Sequence, residues 1–285
     1  MCLSHTAEIV RQRAAGLEMP RLDRRSFLKG GAGLALGATL WPSAALADTE
    51  VAGSPLPVRR LQDLTHTFRV DFPVFTDGEE PTRRTVVTIE DDGYYLQEWT
   101  FYEHTATHLD APGHFVPGGR LAPQIDPREL LVPAVVVDIS DKARANPDAQ
   151  VTVADLRTFE RRHGAIPRRA LVCMYSGWEV RADDEQAYRG TDESGVYHFP
   201  GFSVEAVEWL LERRRITGIG VDTLSLDYGL SQTFQVHVTL LGADKYGLEN
   251  LANLAHIPPR GSWAFVGLVP WEEGSGGPCR VIAGW

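Results

Sequence analysis

Short runs of β-branched and aromatic residues, bounded by glycine, proline or aspartate, constrain the fold of this 285-residue chain more than any other sequence feature. Such runs are typical of β-strands, because branched and aromatic side chains pack well on a pleated surface. Seven of them are spread along the chain: RTVVTIE (84–90), YYLQEWTFYEH (94–104), AVVVDIS (134–140), ALVCMYS (170–176), TGIGVDTLSLD (217–227), SWAFVGLV (262–269) and CRVIAGW (279–285).

Helical patterns are fewer, and two stand out. Thr152 and Asp155 are placed as a helix start, and apolar residues follow them at helical spacing. The second pattern begins at Ser203, after which Val204 and Val207 recur on one side of a predicted helix. Because strands outnumber helices and connections of both kinds are present, we predict an α/β chain with a mixed sheet, not a doubly wound parallel one.

The N-terminal segment has the layout of a removable export signal. Residues 21–47 place Arg24 and Arg25 ahead of a weakly apolar run, rich in glycine and alanine, that ends in Ala-Leu-Ala. The arginine pair and the Ser-Phe-Leu-Lys after it are similar to twin-arginine signals, which export folded proteins. An ordinary amphipathic helix or a retained anchor is the alternative, but the run is shorter than the about 20 residues that a span needs. We predict a signal over 1–47, a mature chain from Asp48, and a periplasmic or secreted protein.

The predicted mature chain, residues 48–285, is strongly acidic. The whole chain carries 28 basic and 38 acidic side chains, and residues 1–47 hold six of the basic and three of the acidic ones. Cleavage therefore changes the net charge from −10 to −13, with the histidines neutral. Nucleic acids and anionic membranes bind cationic surfaces, so we expect neither as a partner of the processed protein. We see no linker or internal repeat in this part of the sequence and predict one domain over 48–285.

Residues 104–114, HTATHLDAPGH, contain three of the chain's nine histidines and one aspartate. His104, His108 and His114 follow one another at intervals of four and six residues, and the Pro-Gly pair before the last argues against one continuous helix. A strand end that turns into a loop would bring imidazole nitrogens and the Asp110 carboxylate together. Such a set suits Zn²⁺, or Mn²⁺ and Fe²⁺ if more oxygen ligands join. Separate local hydrogen bonds are the alternative, but histidines rarely crowd in this way, so we predict a divalent metal site.

The same stretch resembles a family motif. The pattern His-x-Gly-Thr-His-x-Asp-x-Pro-x-His-Phe marks the metal-dependent cyclase family, which includes bacterial kynurenine formamidases and isatin hydrolases. Residues 104–115 follow this pattern with one departure, Ala106 in place of the usual glycine. Four more segments are similar to family blocks: LQDLTHTF (61–68), YSGW (175–178), GIGVDTLSLD (218–227) and HVTLLGADKYGLENL (237–251). The resemblance implies a swivelling β/β/α fold, with a mixed central sheet closing towards a barrel, and a homo-oligomer, either a dimer or a tetramer.

The resemblance also implies one or two ions of Zn or Mn per chain and a role for each site residue. His237 and Glu249 have the twelve-residue spacing of a second ligand pair in the dinuclear formamidases. From the residues alone, this histidine would be a core or turn residue and GLENL a helix start. The implied first metal position comprises His104, His108 and a bridging Asp110, the second comprises His237 and Glu249, and the general acid/base is His114.

Phe75, in the segment DFPVFTDG, stands where family members often have a tryptophan that lines the substrate pocket. The resemblance therefore implies that it contacts substrate. Packing in the core is the alternative, as for any phenylalanine.

The expected chemistry is hydrolysis of an acyl bond in a small molecule. A bound divalent ion lowers the pKa of its water towards about 7 and polarises a carbonyl group, while a histidine moves the proton. The resemblance points first to an aryl formamide, such as N-formylkynurenine, and second to the opening of an isatin-like cyclic amide or a lactone. A periplasmic protein that binds a metal or small ligand without turnover is the non-enzyme alternative. The presence of His114 favours the enzyme, because metal binding alone does not require it.

Cys173 and Cys279 are the cysteines of the predicted mature chain. They could pair in an oxidising compartment, but a buried free thiol is the commoner state for a residue set in ALVCMYSGW. The sequence leaves the pairing open.

Overall fold

The computed structural model describes residues 59–285, so the predicted export signal and its cleavage site lie outside the described residues. Within this described range, no helix is long and apolar enough to cross a membrane. The chain divides into two compact units. The larger holds the described residues up to Thr82 together with Thr100–Trp285, and the described part of the smaller is Arg83–Trp99. The boundaries 1–47 and 48–285 stay predictions.

The described residues form short strands and a smaller number of helices, numbered here in chain order. The strands are β1 (Leu61–Asp63), β2 (Thr82–Val87), β3 (Leu96–Thr100), β4 (His108–Asp110), β5 (Leu131–Asp138), β6 (Gln150–Val151), β7 (Leu171–Tyr175), β8 (Gly201–Phe202), β9 (Gly218–Val221), β10 (Tyr246–Glu249), β11 (Arg260–Leu268) and β12 (Gly276–Gly284). The α-helices are α1 (Ile89–Asp92), α2 (Ser140–Ala145), α3 (Val153–His163), α4 (Glu185–Arg189), α5 (Val204–Arg214) and α6 (Gln235–Gly242).

A closed mixed barrel forms the centre of the larger unit. Its strand order is β12-β11-β5-β7-β9-β10-β4, and the ring closes because β4 pairs with both β10 and β12. Strands β5, β7, β9 and β10 run parallel to one another, whereas β11, β12 and β4 pair antiparallel to their neighbours. β1 extends the sheet along the C-terminal half of β12. The predicted mixed sheet closing towards a barrel is confirmed.

The barrel strands are buried on both faces, which explains their nearly continuous apolar runs. Along β5, Val135 and Val137 belong to the apolar cluster that contains residues of α3, α5 and α6. Ala134 and Val136 belong to the other cluster, which contains residues of β10, β11 and β12. The two sets alternate, as a strand's period of two requires. One core therefore fills the barrel, and a second lies between the barrel and its helices.

The described part of the smaller unit is the hairpin of β2 and β3, joined by α1. Arg84 and Glu98 form an exposed ion pair across the two strands, with Nη2 and Oε2 2.6 Å apart. Arg83 lies over the ring of Trp99, with the guanidinium carbon 5.4 Å from the ring centroid.

Both predicted helix starts are confirmed, and one sequence interpretation is wrong. Thr152 caps α3 in a capping box with Asp155, and Ser203 caps α5. The segment GLENL, however, does not begin a helix, because Tyr246–Glu249 is the buried strand β10 between β9 and β4.

The two cysteines of the described chain are free and buried. Burial raises the pKa of both thiols, that of Cys173 to about 12. Neither thiol is therefore reactive near neutral pH.

Candidate metal centre and active site

Strand β4 places two of the predicted ligands. Successive side chains of a strand point to opposite faces, and Leu109 enters the apolar core of the barrel, so His108 and Asp110 share the other face. Glu249 is the cross-strand partner of His108 on β10. The Nε2 atom of His108 consequently lies 3.2 Å from Oδ1 of Asp110 and 3.3 Å from Oε2 of Glu249.

Helix α6 places His237 in the same group, and Asp227 holds it there. The Asp227 carboxylate accepts hydrogen bonds from the backbone N–H groups of Val236 and His237, which lie in the first turn of α6. It also accepts from Nδ1 of His237 at 2.7 Å. The other ring nitrogen, Nε2, lies 3.1 Å from Oε1 of Glu249 and 3.6 Å from Oδ2 of Asp110.

His104, which precedes β4 in the sequence, and His114, which follows it, complete the cluster. Nδ1 of His104 lies 2.6 Å from Oδ1 of Asp110. His114 ends the short 3₁₀ turn Pro112–His114, and its ring stacks on that of His104 with centroids 3.7 Å apart. The structure thus brings all six residues of the predicted site together.

The described ligand atoms fall into two groups that share Asp110. One group contains His104, Asp110 and His114, and the other contains His108, Asp110 and Glu249. The family resemblance instead places His104 and His108 on the same ion. The division of ligands between ions, and the role of His114 as acid/base, stay predictions.

Two buried polar atoms of this cluster have charged neighbours but make no hydrogen bond of acceptable geometry, as expected for atoms that hold a cation. They are Nε2 of His108 and Oδ2 of Asp110, and these residues are only 2% and 1% exposed. An unpaired buried polar atom costs about 1–3 kcal/mol, so a native fold rarely keeps one without a function. The donor set of imidazole nitrogens and carboxylate oxygens fits a first-row divalent ion such as Zn²⁺ or Mn²⁺.

The electrostatics of the cluster also favour a bound cation. Burial alone would lower the pKa of His108, but the carboxylates of Asp110 and Glu249 raise it to about 10. The pKa of the equally buried His237 is raised well above its usual range, because the carboxylates of Asp110, Asp227 and Glu249 outweigh burial. The carboxylates therefore stabilise positive charge at this position. A divalent ion would supply that charge in place of the protons on His108 and His237.

His114 has the opposite character. Burial, opposed by Asp110 and assisted by His104, lowers its pKa to about 4. At neutral pH the ring is therefore uncharged and has a free nitrogen lone pair, which is the form that accepts a proton.

Ala106, the one departure from the family motif, adopts a glycine-like backbone with φ of 55°. This left-handed conformation costs an alanine about 1 kcal/mol. It turns the Ala106 carbonyl so that it accepts hydrogen bonds from Nδ1 of His108 at 2.8 Å and from Nδ2 of Asn250 at 2.9 Å. Because a carbonyl only accepts, Nδ1 of His108 carries the proton and Nε2 is left to bind an ion.

Four polar residues in the hydrogen-bond network around these ligands were not predicted from the sequence: Glu103, Asp227, Asn250 and Ser275. Asp227 had a local signal, since it ends the run TGIGVDTLSLD that it shares with β9. Ser275 lies 171 residues from the histidine that it contacts, and no spacing rule connects two such positions.

A cavity of about 450 Å³ opens beside the metal ligands. Aromatic rings form one wall: Phe234 lies 5.9 Å from Phe75 and 5.8 Å from Phe115, between ring centroids. Phe115 in turn packs against His237 at 4.7 Å. The hydroxyl of Tyr197 donates to the backbone carbonyl of Phe75 at 2.8 Å, which fixes the backbone of this wall residue. Phe75 therefore lines the cavity, and its contact with substrate stays a prediction.

A closed α/β barrel with a buried group of imidazoles and carboxylates at an aromatic cavity has the features expected of a metal-dependent hydrolase. The chain belongs to the cyclase family: the family described as "Putative cyclase" matches residues 62–228. The matched range includes the motif at 104–115 and ends before His237. The alternative of a binding protein without turnover is not retained, because named relatives in this family are hydrolases.

Named relatives in this family include hydrolases of two kinds. The chain is 32% identical over 202 residues to the isatin hydrolase of Roseibium aggregatum, covering 68% of this chain and 76% of that one. It is 26% identical over 226 residues to the kynurenine formamidase of Erythrobacter litoralis, covering 79% and 93%. The structure of isatin hydrolase A from Ralstonia solanacearum superposes with a TM-score of 0.74 at 35% identity, covering 79% of this chain and 91% of that one.

Proposed function

We propose that this protein hydrolyses the C–N bond of a small aromatic cyclic amide, opening the ring as an isatin hydrolase does. The observation that carries the proposal is the wall of Phe75, Phe115 and Phe234, which can hold a flat aromatic ring beside the metal ligands. The relatives support it as well, since the isatin hydrolases are 32% and 35% identical and the kynurenine formamidase is 26% identical. The family motif by itself points first to aryl formamides, whereas we propose cyclic amides as the first substrate class.

In the proposed mechanism, His104, His108, Asp110, His237 and Glu249 would hold a divalent ion, and the chemistry it would supply is Lewis acidity towards the substrate carbonyl and a nearby water. His114, uncharged at neutral pH, accepts a proton as the water oxygen attacks the carbonyl carbon. The C–N bond then breaks, and His114 returns the proton to the ring nitrogen, which stays attached to the aromatic ring of the product. The phenylalanine wall orients the substrate and keeps bulk water away from the scissile bond.

For the cofactor we propose Zn²⁺ or Mn²⁺, with one or two ions per chain. Support for two positions comes from Asp110, which belongs to both groups of ligand atoms. A shared carboxylate would reduce the repulsion between two neighbouring cations. The homo-oligomer implied by the family resemblance stays a prediction.

The proposal predicts a substrate order. Purified protein loaded with Zn²⁺ or Mn²⁺ should open isatin-type cyclic amides with a kcat/KM at least about tenfold above that for aryl formamides or aryl lactones, a difference of about 1.4 kcal/mol. Continuous absorbance assays on a panel of the three substrate types would measure it. A higher kcat/KM for an aryl formamide would instead support hydrolysis of aryl formamides as the main reaction.

The variant Phe75→Ala tests whether the substrate binds in this cavity. Loss of one ring of the wall should raise KM about tenfold and leave metal content unchanged, because Phe75 touches the cavity but supplies no metal-binding atom. An unchanged KM for every substrate would mean that the substrate binds elsewhere.

We also propose that the protein is exported by the twin-arginine route. The paired Arg24 and Arg25 ahead of the Gly/Ala-rich run support this. Changing both to lysine should trap uncut precursor inside the cell, as an immunoblot of cell fractions would show. Mature protein outside the cytoplasm at the normal yield would contradict the twin-arginine assignment.

A further inference from the structure

A chain of hydrogen bonds reaches His104 from the side away from Asp110. Nε2 of His104 lies 2.9 Å from Oγ of Ser275. The Ser275 hydroxyl donates to Oε2 of Glu103 at 2.6 Å, and the Ser275 backbone N–H donates to the same oxygen at 3.0 Å. Neither Glu103 nor Ser275 belongs to the family motif or takes part in the proposed proton transfer.

The direction of these hydrogen bonds determines which nitrogen of His104 carries a proton. A serine hydroxyl has one proton, and Ser275 gives it to the Glu103 carboxylate, which can only accept. The Ser275 oxygen must therefore accept from His104, so the proton of the neutral imidazole is on Nε2. The lone pair is then on Nδ1, 2.6 Å from the Asp110 carboxylate.

The opposite tautomer is set at the other two histidines. His108 donates from Nδ1 to the Ala106 carbonyl, and His237 donates from Nδ1 to the Asp227 carboxylate. Both therefore present Nε2 to the cluster, whereas His104 presents Nδ1. A 180° rotation of the His104 ring would put carbon atoms against both Asp110 and Ser275 and lose both contacts, so the ring orientation is determined.

The backbone around Ser275 is shaped to hold this arrangement. The Ser275 carbonyl accepts from the backbone N–H of Ala111, which follows β4 directly. A Cβ atom on Gly276 would lie 2.7 Å from Cε1 of His104 and 2.2 Å from the Leu109 carbonyl oxygen, so only glycine leaves room for the ring. Ser275 thus keeps its position relative to His104 through the same strand pairing that closes the barrel.

We propose that Glu103 and Ser275 are positioning residues for metal binding, which hold His104 in the tautomer that presents Nδ1 to the ion. This inference rests on the proposed metal site. Partners of this kind orient a ligand histidine and raise its basicity, and their loss typically weakens metal binding about ten- to a hundredfold.

Two variants and a matched control test the proposal. In Glu103→Gln, the amide can donate to the Ser275 oxygen, which frees the serine proton for Nε2 of His104 and favours the wrong tautomer. Ser275→Ala removes the hydrogen-bond partner altogether. Glu79→Gln removes the same charge from the wall of the same cavity, outside this chain of hydrogen bonds. Zn²⁺ dissociation constants from competition with a chromogenic chelator are the first readout.

We expect Glu103→Gln and Ser275→Ala to weaken Zn²⁺ binding about ten- to a hundredfold, with Glu79→Gln within about twofold of wild type. Equal weakening by Glu79→Gln would show a general charge effect and overturn the proposal. Normal Zn²⁺ binding by both Glu103→Gln and Ser275→Ala would also overturn it. Wild-type protein that binds no divalent ion would instead refute the proposed metal site itself.

A spectroscopic readout on the wild-type protein does not depend on the folding of the Glu103 and Ser275 variants. Long-range ¹H–¹⁵N correlation spectra of Zn²⁺-loaded, ¹⁵N-histidine-labelled wild type distinguish Nδ1 from Nε2 coordination, with the His104 signals assigned by their loss in His104→Asn. We expect one ring bound through Nδ1, that of His104, and Nε2 coordination for His108 and His237. Coordination of His104 through Nε2 would overturn the proposal even if both variants lost affinity.

Discussion

Asp110→Asn should abolish both metal binding and turnover. Asparagine keeps the size of the side chain, but it removes the carboxylate that approaches His104, His108 and His237 within 3.6 Å. Without that charge, the site loses its shared oxygen ligand and the attraction that holds a divalent ion. We expect metal content below about one tenth of the wild-type value by elemental analysis, and a kcat/KM lower by about 10⁴ or more, since metal assistance supplies several kcal/mol of transition-state stabilisation.

The matched control is Asp77→Asn. Asp77, Glu80 and Glu185 form the other described acidic group that could hold a cation, but all three are exposed. Metal content in Asp77→Asn should equal that of wild type, because exposed carboxylates remain hydrated and bind divalent ions weakly. Normal metal content in Asp110→Asn, or loss of metal in Asp77→Asn, would move the metal centre away from the buried cluster.

His114→Ala should separate proton transfer from metal binding. The side chain is stacked on His104 and faces the cavity, and its lowered pKa keeps it uncharged at neutral pH. Its loss should reduce kcat by about 10²–10⁴, the usual contribution of a positioned acid/base, while metal content stays near wild type. KM should change by less than about threefold, because His114 would act in the transition state more than in binding.

Added imidazole gives this variant a second test. If His114 moves the proton, imidazole in the space that it leaves should restore part of the lost rate without changing metal content. A loss of metal as complete as in Asp110→Asn would show that His114 is a metal ligand. His114 does lie in the ligand group with His104 and Asp110. Full turnover with full metal content would assign proton transfer to another residue.

The amino-acid sequence was sufficient where the signal is local. Thr152 and Ser203 begin helices because a capping side chain needs only the backbone N–H groups of the next turn. The segment 104–114 could be identified as a site because its ligands lie within a few residues, and β4 with the turn after it supplies the convergence. The family motif in this segment also implied the barrel, which strand patterns alone did not name.

Contacts distant in sequence were decided only by the tertiary structure. GLENL has a helix-like start, but burial between β9 and β4 makes it a strand, since tertiary pairing outweighs local propensity. The same pairing sets Glu249 opposite His108. Ser275 meets His104, and Asn250 meets the Ala106 carbonyl, only because the barrel closes through β4. The sequence, read together with the family motif, indicated which residues are predicted to bind a metal and move a proton. The closed barrel decided which atoms of those residues meet, because barrel closure joins segments that no local periodicity relates.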